Sequence, residues 1–439
     1  MNQWKSTDLL AIALMMFSIF FGAGNLIFPP ALGQAAGQNV VPAMAGFLLT
    51  GVGLPLTGIV AIALQGGKYT DFISEKVHPR FAIGLLSILY LTIGPLFAVP
   101  RTGAVSFEIG IHPFLSEEQV TLVQAIYTAC FFLCTYYLAL NPSKIVDRVG
   151  RFLTPVLLFF LMVLFAKTFF SPLGDILPAT GTYVDEPFAQ GFQDGYLTMD
   201  LLASLAVGSL VVNAIRMRGI DDNWQAGKIC IKGGCIAVTL MAMVYASLAY
   251  LGATSASVLG HSPNGGALLA SAAGIFFGST GNLILAFIIG FACLTTSCGM
   301  VSACSWFFNT VTKNRIAYQR VVLWSCLFSF ITSNVGLTEL IKFSVPFLVA
   351  IYPVVIVLVL TSLFARFIGE RKAIYRCAII FTMPFCIIDG LNAAGIDIST
   401  LNSLLSHHIP FYSLMLGWLV PALAGAVLGG ILSLRKKDA

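Results

Sequence analysis

Charge is what this sequence has least of. Only 10% of its 439 residues are Asp, Glu, Lys or Arg, while 58% are hydrophobic and the mean hydropathy is +0.90. Soluble proteins carry roughly a quarter of their residues as charges, and so few ionic groups could not cover a water-soluble globule of this size. Soluble enzymes, nucleic-acid binders and disordered regulators are therefore excluded. Histidine is scarce too. His78, His112, His261, His407 and His408 all fall in loops or at loop edges, and no H-E-x-x-H occurs. There is no phosphate-binding loop, long charged domain or lipidation motif either, so ATP hydrolysis on this chain is excluded. The ten cysteines lie almost all within apolar runs and read as small packing residues rather than a disulfide framework. No cofactor is expected.

What is present is apolar sequence in long runs. A bilayer core takes about 20 apolar residues per helical span, and with short loops about 35 residues per span gives about twelve spans. Transmembrane barrels alternate polar and apolar residues and average far less hydrophobic. The reading is an all-α polytopic membrane protein, one transmembrane domain over 1–439. With the N-terminus cytoplasmic, 21 of the 24 Lys and Arg residues fall on the inner side, leaving Arg101, Lys167 and Lys342. Positive residues resist translocation, so both termini are placed inside. The run from Leu9 to Phe28 is longer than a signal-peptide core and carries Gly and Pro, so it reads as a retained span.

The first span contains Phe21-Gly22-Ala23-Gly24-Asn25-Leu26-Ile27-Phe28-Pro29-Pro30. The glycines weaken a helix, and the prolines are tolerable only in the first turn of a new one. Unwound backbone survives inside a membrane where it lines a cavity or is buried against protein. The amides of Gly22, Ala23 and Gly24, with a positive helix end behind them, would suit a carboxylate. Glycines that merely let another helix approach are the competing reading. The sixth span, around Asp200, is rich in Ala, Ser and Gly between Ala203 and Ser209 and starts on the opposite side of the membrane. Interrupted helices at matching positions of two inverted halves point to a transporter's midplane site. A break here would bring Ala203, Ser204 and Leu205 to the substrate.

On the eighth span, the Ala292 carbonyl can converge with the hydroxyls of Thr295 and Thr296. Carbonyls of Ser18 and Phe21 from the broken first helix complete an oxygen set suited to a small hard cation, Na⁺. Threonines bonding back to their own helix are the alternative. Arg101 and Glu108, seven residues apart on the third span, form an outer gate pair or mark the helix end. Asp200 is a proton carrier or a cap. Glu339 and Lys342 are spaced for an i,i+3 ion pair.

These stretches, with Gly94-Pro95-Leu96-Phe97-Ala98-Val99-Pro100-Arg101-Thr102-Gly103, Val105-Ser106-Phe107-Glu108, Asn141 to Arg151, Leu197-Thr198-Met199-Asp200 and Leu294-Thr295-Thr296, resemble one family. They look like the bacterial branched-chain amino-acid carriers, the leucine–isoleucine–valine:cation symporters of the amino acid–polyamine–organocation superfamily. The resemblance implies two inverted five-helix repeats with discontinuous helices 1 and 6 (8–170 and 192–364) and two further helices (373–433). It implies inward transport of leucine, isoleucine and valine with Na⁺ or H⁺. It implies that Gly22-Ala23-Gly24 binds the substrate carboxylate and that Thr295 and Thr296 surround sodium.

The residues read independently as a pocket for an aliphatic zwitterion. Phe, Leu, Val and Ala surround the breaks, with no charge except Asp200, about a turn away. The expected function is a secondary active symporter of the bacterial inner membrane working by alternating access. An exchanger is the alternative, and an intramembrane enzyme a more distant one. The bilayer is the only partner expected besides the small-molecule substrate; no nucleic acid and no obligate protein partner is foreseen.

Overall fold

A computed structural model describes residues 6–140, 144–369 and 371–435. Lys5, Asn141, Pro142, Ser143, Lys436 and Lys437, which enter the sequence argument, lie outside the described residues. The described residues are almost wholly helical, and large apolar side chains such as Phe170 (81% exposed) and Trp324 (69% exposed) cover the outer surface. Such a surface is stable against lipid, not water. Among the described residues, seven helices are long and apolar enough to span a bilayer, or eight if one bent pair counts as a span.

Several of these hold more than one helix. The first span is two short helices, α1 (Ser6–Phe20) and α2 (Ala23–Ala36). The chain reverses at Gly37, whose φ is +47°, and returns through α3 (Val40–Leu48), a π turn and α4 (Leu54–Leu64). After α5 (Tyr69–Lys76), the third span comprises α6 (Pro79–Leu91), a π turn at Thr92–Leu96 and α7 (Ala98–Gly110). Then come α8 (Glu117–Leu140) and α9 (Lys144–Phe170). The sixth span is α10 (Pro187–Asp194), a 3-10 turn at Gly195–Thr198, and α11 (Asp200–Arg216), bent by 43°. It is followed by α12 (Asn223–Leu259) and α13 (Gly265–Val311). The 47 residues of α13 would measure about 70 Å as one rod. Gly278, at φ 65° and ψ −162°, breaks it into a short first segment and a longer second one. The remaining helices are α14 (Tyr318–Ser333), α15 (Leu337–Leu363), α16 (Ala365–Ile368), α17 (Lys372–Ala393), α18 (Ser399–His408) and α19 (Leu419–Arg435).

The first and the sixth spans are interrupted helices, and α17 and α19 near the end of the chain pack against one another. The interrupted first span is held at the centre by α12. A Cβ on Gly33 would run into the Ala249 backbone, and one on Gly252 into the Pro30 backbone. Only glycine permits this main-chain contact, so α2 and α12 form a rigid pair. Glu339 and Lys342 do pair, at 2.6 Å, on the surface of α15.

Candidate functional site

The site is built from the first helix break outward. α1 ends at Phe20 and α2 restarts at Ala23, so the interruption falls where Gly22 and Gly24 weaken the helix. Pro29 and Pro30 sit about two turns inside α2 rather than at its first positions. Gly22 is extended (φ −122°, ψ −169°), and its amide donates to Asn25 Oδ1 at 2.9 Å. That corrects one expectation: the Gly22 N–H caps its own helix. Ala23 and Gly24 remain as first-turn residues, whose amides have no acceptor inside a helix, and both line a cavity.

The second break lies elsewhere than expected. α11 is continuous from Asp200, and Ala203 N–H already donates to the Met199 carbonyl at 2.9 Å. The interruption is at Met199, whose φ of 63° is left-handed and ends the 3-10 turn. Of the three residues expected here, Ala203 lines the cavity, while Ser204 turns its hydroxyl to the Leu201 carbonyl (2.7 Å) and faces Gly58 of α4. Leu205 is packed in the core. The helix was expected to open between Ala203 and Ser209 because small residues cluster there; those residues instead let α4 approach α11 closely.

The two breaks are joined. Asn25 Nδ2 donates to Asp200 Oδ2 at 2.6 Å and also to the Tyr245 hydroxyl of α12. Tyr245 in turn donates to Asp200 Oδ2 at 3.3 Å. All three side chains are buried. Asp200 is thus the central acceptor of a network, at the first residue of α11, where a negative charge also faces the positive helix end. Tyr245 was not singled out from the sequence; a lone tyrosine in an apolar run gives no signal of which distant residue it meets.

Arg101 is the larger departure. The π turn at Thr92–Leu96, with Gly94 at non-helical φ/ψ, leads into α7, whose first turn carries Arg101, 3% exposed and on the wall of the same cavity. Its Nη1 donates to the Leu197 carbonyl at 2.7 Å, and its guanidinium stacks on the Phe28 ring at 5.0 Å. Glu108 has other partners, Asn264 Nδ2 at 3.4 Å and His112 at 3.8 Å. The two residues have different partners and do not form a gate pair; Arg101 lies in the first turn of α7 and Glu108 in its last. The pocket therefore holds two ionic groups, Arg101 and Asp200, where only one was foreseen.

Arg101, Asp200, Thr198, Met199, Gly22 to Asn25, Ala203 and Thr296 all border one cavity, completed by apolar residues including Ile93, Ala98 and Met300. The cavity is small, about 30 Å³. On the far side of the break, Thr295 and Thr296 each donate to the Ala292 carbonyl, at 3.0 and 2.9 Å. Thr296 faces the break directly, its Cγ2 lying 3.6 Å from where a Gly22 Cβ would stand. The Phe21 amide continues α1 by donating to the Phe17 carbonyl at 2.8 Å. Ser18 lies on an exposed face of α1. The Thr295 and Thr296 hydroxyls are thus bonded to a carbonyl of their own helix, the arrangement of the alternative reading.

Two interrupted helices meeting at a buried cavity are the arrangement of a membrane transport protein. A family model described as "Branched-chain amino acid transport protein" matches residues 5–436. The chain is 46% identical over 427 residues to the branched-chain amino acid permease BraB of Bacillus subtilis, covering 97% of this chain and 96% of that one. It is 43% identical to the branched-chain amino acid transport system 2 carrier protein of Pseudomonas aeruginosa, covering 98% and 96%. Mhp1, a nucleobase–cation symport family transporter solved closed with bromovinylhydantoin bound, aligns with a TM-score of 0.60 at 12% identity, covering 97% and 92%. That likeness concerns the fold. The chain belongs to the branched-chain amino acid transport protein family.

Proposed function

We propose that this protein imports leucine, isoleucine and valine across the bacterial inner membrane, coupled to a cation moving down its gradient, by alternating access. The observation that carries the reading is the cavity where the breaks at Gly22 and Met199 meet, held together by the Asn25–Asp200 hydrogen bond. Half-helix ends present amides at Ala23 and Gly24 and carbonyls before Met199, a pairing suited to a zwitterion. The apolar walls suit an aliphatic side chain. The names of the relatives support the same substrates.

Na⁺ is the proposed coupling ion, held by Ala292, Thr295 and Thr296 with Ser18 and Phe21 of the broken helix. H⁺ is the alternative, for which Asp200 is the carrier. The inverted repeats are assigned to 8–170 and 192–364 and the added helices to 373–433, with both termini cytoplasmic by the distribution of positive residues. The experiment is uptake of labelled leucine into proteoliposomes under imposed Na⁺ or H⁺ gradients at fixed internal pH. Accumulation driven by an inward Na⁺ gradient is expected. Uptake that ignores both gradients and requires amino acid inside would make the protein an exchanger.

A further inference from the structure

The cavity contains a buried cation whose bonding capacity the fold does not consume. Arg101 uses Nη1 on the Leu197 carbonyl and lays its plane near Phe28, while Nε is buried with no partner. Nη2 stands over the first helix break: a Cβ added to Gly24 would lie 2.7 Å from it. A guanidinium offers several donors in a rigid planar fork that matches the two oxygens of a carboxylate. Burying such a group with donors unpaired is costly, and native proteins rarely do so without a use for them. Asp200 lines the same cavity, where its Oδ2 accepts from Asn25 and Tyr245, and these bonds engage that one oxygen of the carboxylate. The described ion pairs all lie elsewhere.

We propose that Arg101 is the anchor for the substrate's α-carboxylate, with Asp200 as the opposing charge that meets the α-ammonium. This rests on the amino-acid transport reading above and deepens it. The half-helix amides then assist the guanidinium rather than holding the carboxylate alone. A zwitterion satisfies both charges at once. A simple amine leaves Arg101 buried and uncovered, and a simple acid leaves Asp200 so. Selection for the α-amino acid backbone thus precedes any reading of the side chain, and Gly24 is glycine because the guanidinium occupies the space a side chain would need.

The test is equilibrium binding of labelled leucine to the purified protein, with leucinamide, isoamylamine and 4-methylvalerate as competitors. Wild type is expected to favour leucine over leucinamide by roughly 100-fold, and R101Q to lose most of that ratio while R101K regains part of it. G24A, which pushes on Nη2, is expected to weaken leucine binding in the wild-type background and to add nothing in R101Q. Unchanged leucine/leucinamide selectivity in R101Q, or independent effects of G24A and R101Q, would overturn the anchor. Should R101Q not yield folded protein, G24A alone decides: a loss confined to leucine supports the proposal, and an equal loss for leucinamide defeats it. If wild type binds no leucine, the transport reading itself falls; leucine binding with unaltered R101Q selectivity removes only the anchor.

Discussion

Asn25 Nδ2 lies 2.6 Å from Asp200 Oδ2, although 175 residues separate them in the chain. Through this bond the first residues after one helix break touch the first residue after the other. Asn25 also caps its own helix through the Gly22 amide, so one side chain shapes the first break and ties it to the second.

Removing that tie should disable transport without unfolding the protein. Asn25→Ala is expected to lower initial leucine uptake at least about tenfold, since it strips a buried acceptor of its closest donor. A monodisperse elution profile would confirm the fold. Wild-type uptake in this variant would show that the bridge is incidental.

Asp200→Asn keeps an acceptor for Asn25 and Tyr245 but deletes the charge. Leucine affinity should fall by roughly 100-fold, the scale of removing one partner from a buried charged contact. Titration of the purified variant with labelled leucine measures it. An affinity within a factor of about two of wild type would rule out an ionic role for this residue.

The oxygen cluster on α13 is tested separately. Thr295→Ala and Thr296→Ala each remove a hydroxyl that now converges on Ala292. Half-saturation for Na⁺ should rise by about tenfold or more in either variant, with leucine binding recovered at high Na⁺. Uptake whose ion dependence matches wild type would mean that these threonines only satisfy their own helix.

Packing between α2 and α12 is the fourth case. Gly252→Val forces a side chain into the Pro30 backbone, and should destabilise the protein by about 3 kcal/mol, the upper range for overpacking. A melting curve in detergent reports it. Gly84, with nothing near its Cβ direction, is the control and should tolerate alanine.

The first break was legible because glycine and proline are local signals; they weaken helix wherever they stand. The second was not, because the turn is made by Met199 in a left-handed conformation, a residue type that gives no warning of one. Nearby glycine and serine at Gly208 and Ser204 drew attention to a stretch that is ordinary helix. Arg101 was misplaced for a related reason. Counting along an apolar run assumes a uniform rise, and the π turn before Phe97 alters which residues arrive at mid-depth. Tyr245 illustrates the remaining gap, since its value lies in partners 45 and 220 positions away. The Ala292–Thr295–Thr296 group could be read because helix geometry alone sets neighbours three and four apart.

The cavity meets its contents with two different materials: side chains at Ile93, Ala98 and Met300, and at the other end backbone tied into the Asn25–Asp200 bond. Side chains can shift while the bonded end stays put. Analogues altered at the aliphatic tail should therefore be tolerated far better than analogues altered at the charged head.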